Sequence, residues 1–273
     1  MSISNLRSIF QNWQARFLGL LLLGGCIQPV AVPTSDSTAT PTVASPAAGW
    51  EILVPGLERR NYHPDPNNPI TRMVALRIDP TLYTFRVHYH PGQFQSTQQS
   101  MLELGEAVAF INANYFFADG TILGMLVTDG ITYGTSYTDR GGMFYVEAGQ
   151  PFIRSLLRQP FLNEALEQAV QAFPMLVLDG VQAFSDDIRD RPTRRTIIGQ
   201  DASGRIIILA TPLLGLPLRD LSAYLPTTDM NIVTAFNLDG GGSTMMALNL
   251  NNSPEYVVSS FDAVPAVLAV YSK

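Results

Sequence analysis

A chain of 273 residues with 46% hydrophobic and 15% charged residues carries enough apolar material for a sizeable core, in one large domain or two small ones. The net charge of −6 argues against nucleic acid as a partner, because no excess of cations exists to displace phosphate counterions. The lone cysteine, Cys26, excludes a disulfide within the chain and any cysteine-built metal cluster.

Lys273 is the only lysine, so nearly every cation is an arginine. Arginine's planar fork pairs with two oxygens of a phosphate or carboxylate at once, although a compositional bias explains the preference as readily. Near the N-terminus, Arg7 and Arg16 precede the apolar run Phe17-Leu18-Gly19-Leu20-Leu21-Leu22-Leu23. That run is too short for a mature membrane span and fits the core of a secretion signal over residues 1–25. Leu23-Gly24-Gly25-Cys26 resembles the lipobox of bacterial lipoproteins, in which the cysteine becomes a lipid-modified N-terminus. The resemblance implies a membrane partner reached through a lipid anchor on Cys26, in the cell envelope and facing away from the cytoplasm. Residues 26–49, rich in Pro, Ser, Thr and Ala, bury too little to fold and read as a disordered tether.

The folded domain is expected over 50–273. Strand-like segments at 50–55, 72–78 and 83–89 open it, the last two with apolar–polar alternation. Ser96 is a candidate N-cap for a helix over 97–105, and 107–111 reads as a buried strand. Asp129-Gly130 predicts a tight hairpin over 126–133, because both residues accept positive φ. Further along, 142–147 reads as a strand and 162–172 as an amphipathic helix stopping before Pro174. Hairpins are expected around Asp179-Gly180 and around residues 201–204. A short helix over 218–225, an apolar strand over 232–238 and two strands near Val257 and Val267 complete the chain. The pattern predicts an α+β fold: a single domain with a mixed, hairpin-rich β-sheet core flanked by a few helices.

Three segments carry candidate chemistry. In Asn237-Leu238-Asp239-Gly240-Gly241-Gly242-Ser243-Thr244 an apolar strand runs into an acid, three glycines and two hydroxyls. Glycines strip side chains from a turn and expose N–H groups to an anion such as phosphate. Ser243 and Thr244 add hydroxyl donors, and Asp239 is a candidate acid, base or nucleophile acting on a sugar. A glycine-rich bend with a buried aspartate accounts for the same residues. In Arg194-Arg195-Thr196-Ile197-Ile198-Gly199, strand alternation lets only one arginine face a site, where it would hold a phosphate. In Ile111-Asn112-Ala113-Asn114-Tyr115-Phe116-Phe117, the amides of Asn112 and Asn114 suit sugar hydroxyls and aromatic rings suit stacking on sugar faces, although Phe116 and Phe117 read as core aromatics. His63, His88 and His90 have no zinc-site spacing and read as surface residues. No Gly-x-Ser-x-Gly elbow and no Walker loop is present.

The three segments in this order resemble the phosphodiester glycosidase family, which includes bacterial envelope proteins. Its Asn-Gly-Gly-Phe-Phe, Arg-Thr-Ala-Ile-Gly and Leu-Asp-Gly-Gly-Gly-Ser motifs correspond here to residues 112–116, 195–199 and 238–243, and Pro174-Met175-Leu176-Val177 is similar to a further strand. The resemblance covers about 107–270 and implies hydrolysis of a sugar-1-phosphodiester at the anomeric bond. In that reading Arg195 and the amides of Gly240, Gly241 and Gly242 hold phosphate, and Asp239 acts on the sugar. Ala113 and Asn114 replace the usual glycines, and Asp262-Ala263-Val264-Pro265-Ala266 stands where the family shows Arg-x-Val-Pro-Asn. No cofactor is expected, and the sequence leaves a divalent cation open. Two other readings of the same residues are an envelope lipoprotein that binds a glycan or exopolysaccharide without turnover, and a structural lipoprotein with calcium at Asp119, Asp179 and Asp239.

Overall fold

Residues 49–186 and 190–273 are described by a computed structural model, and they fall in one compact unit. The expected signal segment, Cys26 and the tether as far as Ala48 lie outside the described residues.

The chain opens with β1 (Glu51–Val54), β2 (Leu57–Tyr62), β3 (Met73–Ile78) and β4 (Tyr83–Tyr89). Alternation orients them: β4 buries Tyr83, Phe85 and Val87 and turns Thr84, Arg86 and His88 away from the core. Helix α1 (Thr97–Glu103) starts at a capping box, in which the Gln99 N–H donates to Ser96 Oγ and the Ser96 N–H to Gln99 Oε1. Next come β5 (Ala109–Asn112), β6 (Met125–Thr128), β7 (Ile131–Gly134), β8 (Gly142–Glu147) and β9 (Gln150–Ser155). Asp129 and Gly130, at φ of 48° and 80°, close β6 onto β7 in a turn whose twist matches the strands.

The helix expected over 162–172 is a correction. There the chain is extended, and β10 (Gln168–Ala172) is buried along its whole length between β6 and β8. Burial on both faces overrides a helix-like spacing of apolar residues. Gln168 and Gln171 survive inside because both ends of each amide are bonded; Gln168 accepts from the Val87 N–H and donates to Asp129.

Strands β11 (Met175–Leu178), β12 (Val181–Gln182), β13 (Thr196–Asp201) and β14 (Ile206–Ala210) follow, then α2 (Leu218–Tyr224), β15 (Ile232–Asn237), β16 (Met246–Leu250), β17 (Ser253–Val258) and β18 (Ala266–Ser272). Strands β2, β9 and β16 have no counterpart in the sequence reading. Three sheets result, ordered β1-β2-β3-β14-β13-β15-β11-β12, β7-β6-β10-β8-β9 and β17-β16-β5-β18-β4. Every strand pair among the described residues is antiparallel, which corrects the expectation of mixed sheets.

The inner faces of all three sheets share one core, which takes Leu76 and Ile208 from the first sheet, Phe144 and Val170 from the second, and Phe85 and Leu268 from the third. Strand β14 is apolar on both faces: Ile206 and Ile208 enter that core while Ile207 and Leu209 pack outward beneath Leu221 of α2. Helix α1 likewise covers the outer face of β5, β16 and β18 through Met101.

Candidate active site

The turn after β15 carries the chain from the eight-stranded sheet into β16 of another sheet, so it sits on the seam between two layers. Gly241, at φ 62°, bends the backbone there. A Cβ on Gly242 would lie 1.9 Å from Asp262 Oδ2, so a side chain there would have to displace that exposed carboxylate.

Asn112, at the end of β5, clips this turn in place. Its Nδ2 donates to the Asp239 carbonyl at 2.7 Å, and its Oδ1 accepts from Thr196 Oγ1 at 2.7 Å and the Met245 N–H at 3.1 Å. The Asp239 N–H adds a bond to the Ala113 carbonyl, and the Gly241 N–H one to the Arg194 carbonyl. The three sequence segments therefore converge, with Asn112, Thr196 and Asp239 joined through a single amide. The clip corrects one expectation. Asn112 is 1% exposed with both ends of its amide bonded inside the protein, so it positions the turn rather than meeting a sugar. Asn114 is corrected as well, because its buried Nδ2 donates to the carbonyls of Met125 and Gln171, in the second sheet.

Asp239 lies mostly buried with its carboxylate folded back on its own turn, accepting from the Gly240 N–H at 2.8 Å and from the Ser243 side chain. Burial pushes its carboxyl up to about 6, and the charge of Asp262 adds to the rise; the bonds from Ser243 and Gly240 act against it. These bonds revise the expected phosphate nest. Ser243 and Gly240 serve Asp239, Gly241 serves Arg194, and the Thr244 hydroxyl is buried without a partner. Of the three glycine amides, that of Gly242 alone has no acceptor among the described residues, and the Asp262 carboxylate stands beside it.

The two arginines diverge as strand alternation requires. Arg195 sits in a buried pair with Asp190, Nη2 to Oδ1 at 3.1 Å, and also donates to the Arg191 carbonyl. It faces Tyr115: burial raises the Tyr115 hydroxyl, the charge of Asp239 adds to that rise, and the charge of Arg195 opposes it. Tyr115 thus feels the charges of both Asp239 and Arg195. Arg194, 6% exposed, runs the other way and donates to the carbonyls of Thr244 and Ser259, with the ring of Phe261 4.2 Å from its Cζ.

Sequence reasoning gave no role to Tyr115, Asn237, Asp190 or Phe261. The Tyr115 hydroxyl donates to the Phe173 carbonyl and accepts from Asn237 Nδ2 at 2.7 Å, while its ring lies 5.0 Å from that of Phe173. Tyr115 and Asn237 each sit inside a motif already singled out, which was the available signal. Nothing in the sequence marks Asp190. Of the presumed core aromatics, Phe116 packs on the core but Phe117 is 54% exposed. His90 Nε2 lies 2.6 Å from Glu103 of α1, an acidic partner distant in sequence. Among the described residues no three His, Cys, Asp or Glu side chains gather into a metal set, and Asp119, Asp179 and Asp239 lie on separate turns. No helix among them is long and apolar enough to cross a membrane.

A family model described as phosphodiester glycosidase matches residues 105–271. No curated protein matches the sequence. Among solved structures, the catalytic domain of zebrafish N-acetylglucosamine-1-phosphodiester alpha-N-acetylglucosaminidase, auto-inhibited by its pro-peptide, superposes with a TM-score of 0.61 at 19% identity, over 82% of this chain and 86% of that one. A hypothetical protein from Synechocystis gives a TM-score of 0.60 at 14% identity, over 84% of this chain and 64% of that one. A protein from Burkholderia pseudomallei gives 0.54 at 12% identity, over 73% and 74%. At these identities the likeness is one of fold.

Proposed function

Because this chain belongs to the phosphodiester glycosidase family, we propose that it hydrolyses a sugar-1-phosphodiester at the bond between the anomeric carbon and the phosphate oxygen. The observation that carries the proposal is the setting of Asp239. A carboxylate with its pKa pushed up to about 6 is clipped into a rigid turn beside Tyr115, a hydroxyl that also feels the charge of Arg195. A group that titrates near neutral pH is suited to proton transfer.

The phosphomonoester leaves as a stable anion, so the departing oxygen needs charge stabilisation more than a proton. Arg195 supplies a cation fixed in place by Asp190. Asp239 then works ionised on the sugar side. As the C1–O bond breaks, its electron pair leaves with the phosphate; water attacks C1 and passes a proton to the carboxylate. The products are a free sugar and a phosphomonoester.

The reading extends to the cell envelope, with a lipid on Cys26 as the membrane contact and residues 26–49 as the tether. That part rests on Leu23-Gly24-Gly25-Cys26 and the tether's composition alone. The test is product analysis with a panel of sugar-1-phosphodiesters, with and without chelator. Release of free sugar and phosphomonoester supports the proposal. Saccharide binding without turnover of any diester would replace it with a glycan-binding role.

A further inference from the structure

Phe261 and Asp262 stand against the catalytic turn on the side away from Arg195. Phe261 is 80% exposed, yet it is not loose: its N–H donates to the Gly242 carbonyl at 2.7 Å, and one face of its ring lies over the Arg194 guanidinium. The Asp262 N–H donates to the same carbonyl at 3.0 Å, and its carboxylate occupies the space a side chain at Gly242 would need. An aromatic face and an exposed carboxylate are therefore held in fixed relation to each other and to Asp239. Arg194, immobilised by the carbonyls of Thr244 and Ser259, keeps the ring in place from beneath.

This pair has the chemistry to recognise a sugar. Pyranose rings present an apolar C–H face that stacks on an aromatic ring and a rim of hydroxyls that a carboxylate accepts. Charge selects the orientation: Asp262 repels a phosphate, whereas Arg195 attracts one. We propose that Phe261 and Asp262 form the sugar-orienting shelf of this site, the open ring face stacking on the sugar and the carboxylate taking its hydroxyls, with the phosphate directed towards Arg195. The shelf rests on the proposed reaction, whose sugar half it would hold. It also gives a function to Asp262, which stands where the family pattern has an arginine.

The test uses the full chain, its Phe261→Ala and Phe261→Trp variants, and a methyl hexose-1-phosphodiester that the wild type turns over. Phe261→Ala should raise KM roughly tenfold, the loss expected on uncovering about 50 Å² of apolar ring, with kcat nearly unchanged. Because the ring is exposed, the melting temperature should hold, and Phe261→Trp should restore KM. An unchanged KM in Phe261→Ala, or a tryptophan variant as weak as alanine, overturns the shelf and leaves the reaction standing. If no diester is turned over, the reaction fails separately, and methyl hexopyranosides then probe the shelf by saturation-transfer NMR. Binding that Phe261→Ala abolishes supports the shelf; absence of binding to the wild type overturns it.

Discussion

Replacing Asp239 by asparagine should stabilise the fold at neutral pH while abolishing turnover. The carboxyl is raised from 3.8 to about 6, chiefly by burial. A rise of about 2 units at ~1.4 kcal/mol each means that the ionised form costs the folded state about 3 kcal/mol. Folded protein binds this proton more tightly than the unfolded chain does, so the cost is absent below pH 3.8 and reaches its full size above about 6. Asparagine is neutral throughout and escapes it. The substitution also weakens the bonds from the Gly240 N–H and the Ser243 side chain, a loss of ~1 kcal/mol. The net gain is about 2 kcal/mol at about pH 7.5, or roughly 4–8 °C in melting temperature for a domain of this size. Thermal unfolding at about pH 7.5 and about pH 4 measures it, with the gain present at the higher pH and missing at the lower. An asparagine variant less stable than wild type at neutral pH, or equally stabilised at both, would refute the burial argument. Full hydrolytic activity in the variant would remove Asp239 from the chemistry.

For wild type, kcat/KM should rise with pH through a limb near 6 as Asp239 ionises, and Asp262→Asn should move that limb to lower pH by removing a repelling charge. A pH–rate profile in which the limb stays put would uncouple the two carboxylates. Asn112→Ala should lower the urea midpoint, at a cost of ~2–4 kcal/mol, because it strands Thr196 Oγ1, the Met245 N–H and the Asp239 carbonyl in the interior. Turnover should fall with it although Asn112 touches no substrate; an unchanged midpoint would deny the clip.

Local chemistry was legible where the chain itself resolves it. Asp129-Gly130 and Asp179-Gly180 both take positive φ in tight turns, as those residue pairs prefer. The capping box at Ser96 likewise marks the start of α1. What could not be read depends on neighbours distant in sequence. Strand β10 shows helical spacing because both its faces are buried, so no polar face remains to reveal a period of two. Strand β2 reads as charged since Arg59 and Arg60 pair with Glu255 and Asp229, far along the chain. At the site, the three segments do converge, and residue type alone misassigned the asparagines. Asn112 and Asn114 suit a sugar chemically, but their partners are backbone carbonyls brought up by other strands.

The amide that ties β5 to the turn closes a loop of 127 residues. Closing so long a segment costs entropy that burial elsewhere must offset. Strands β6 to β15 lie between the two ends of that closure. The raised pKa of the carboxylate therefore depends on burial that only the assembled layers provide. A partly folded chain carries the motif without that setting, so under the proposed reaction turnover would report completed folding.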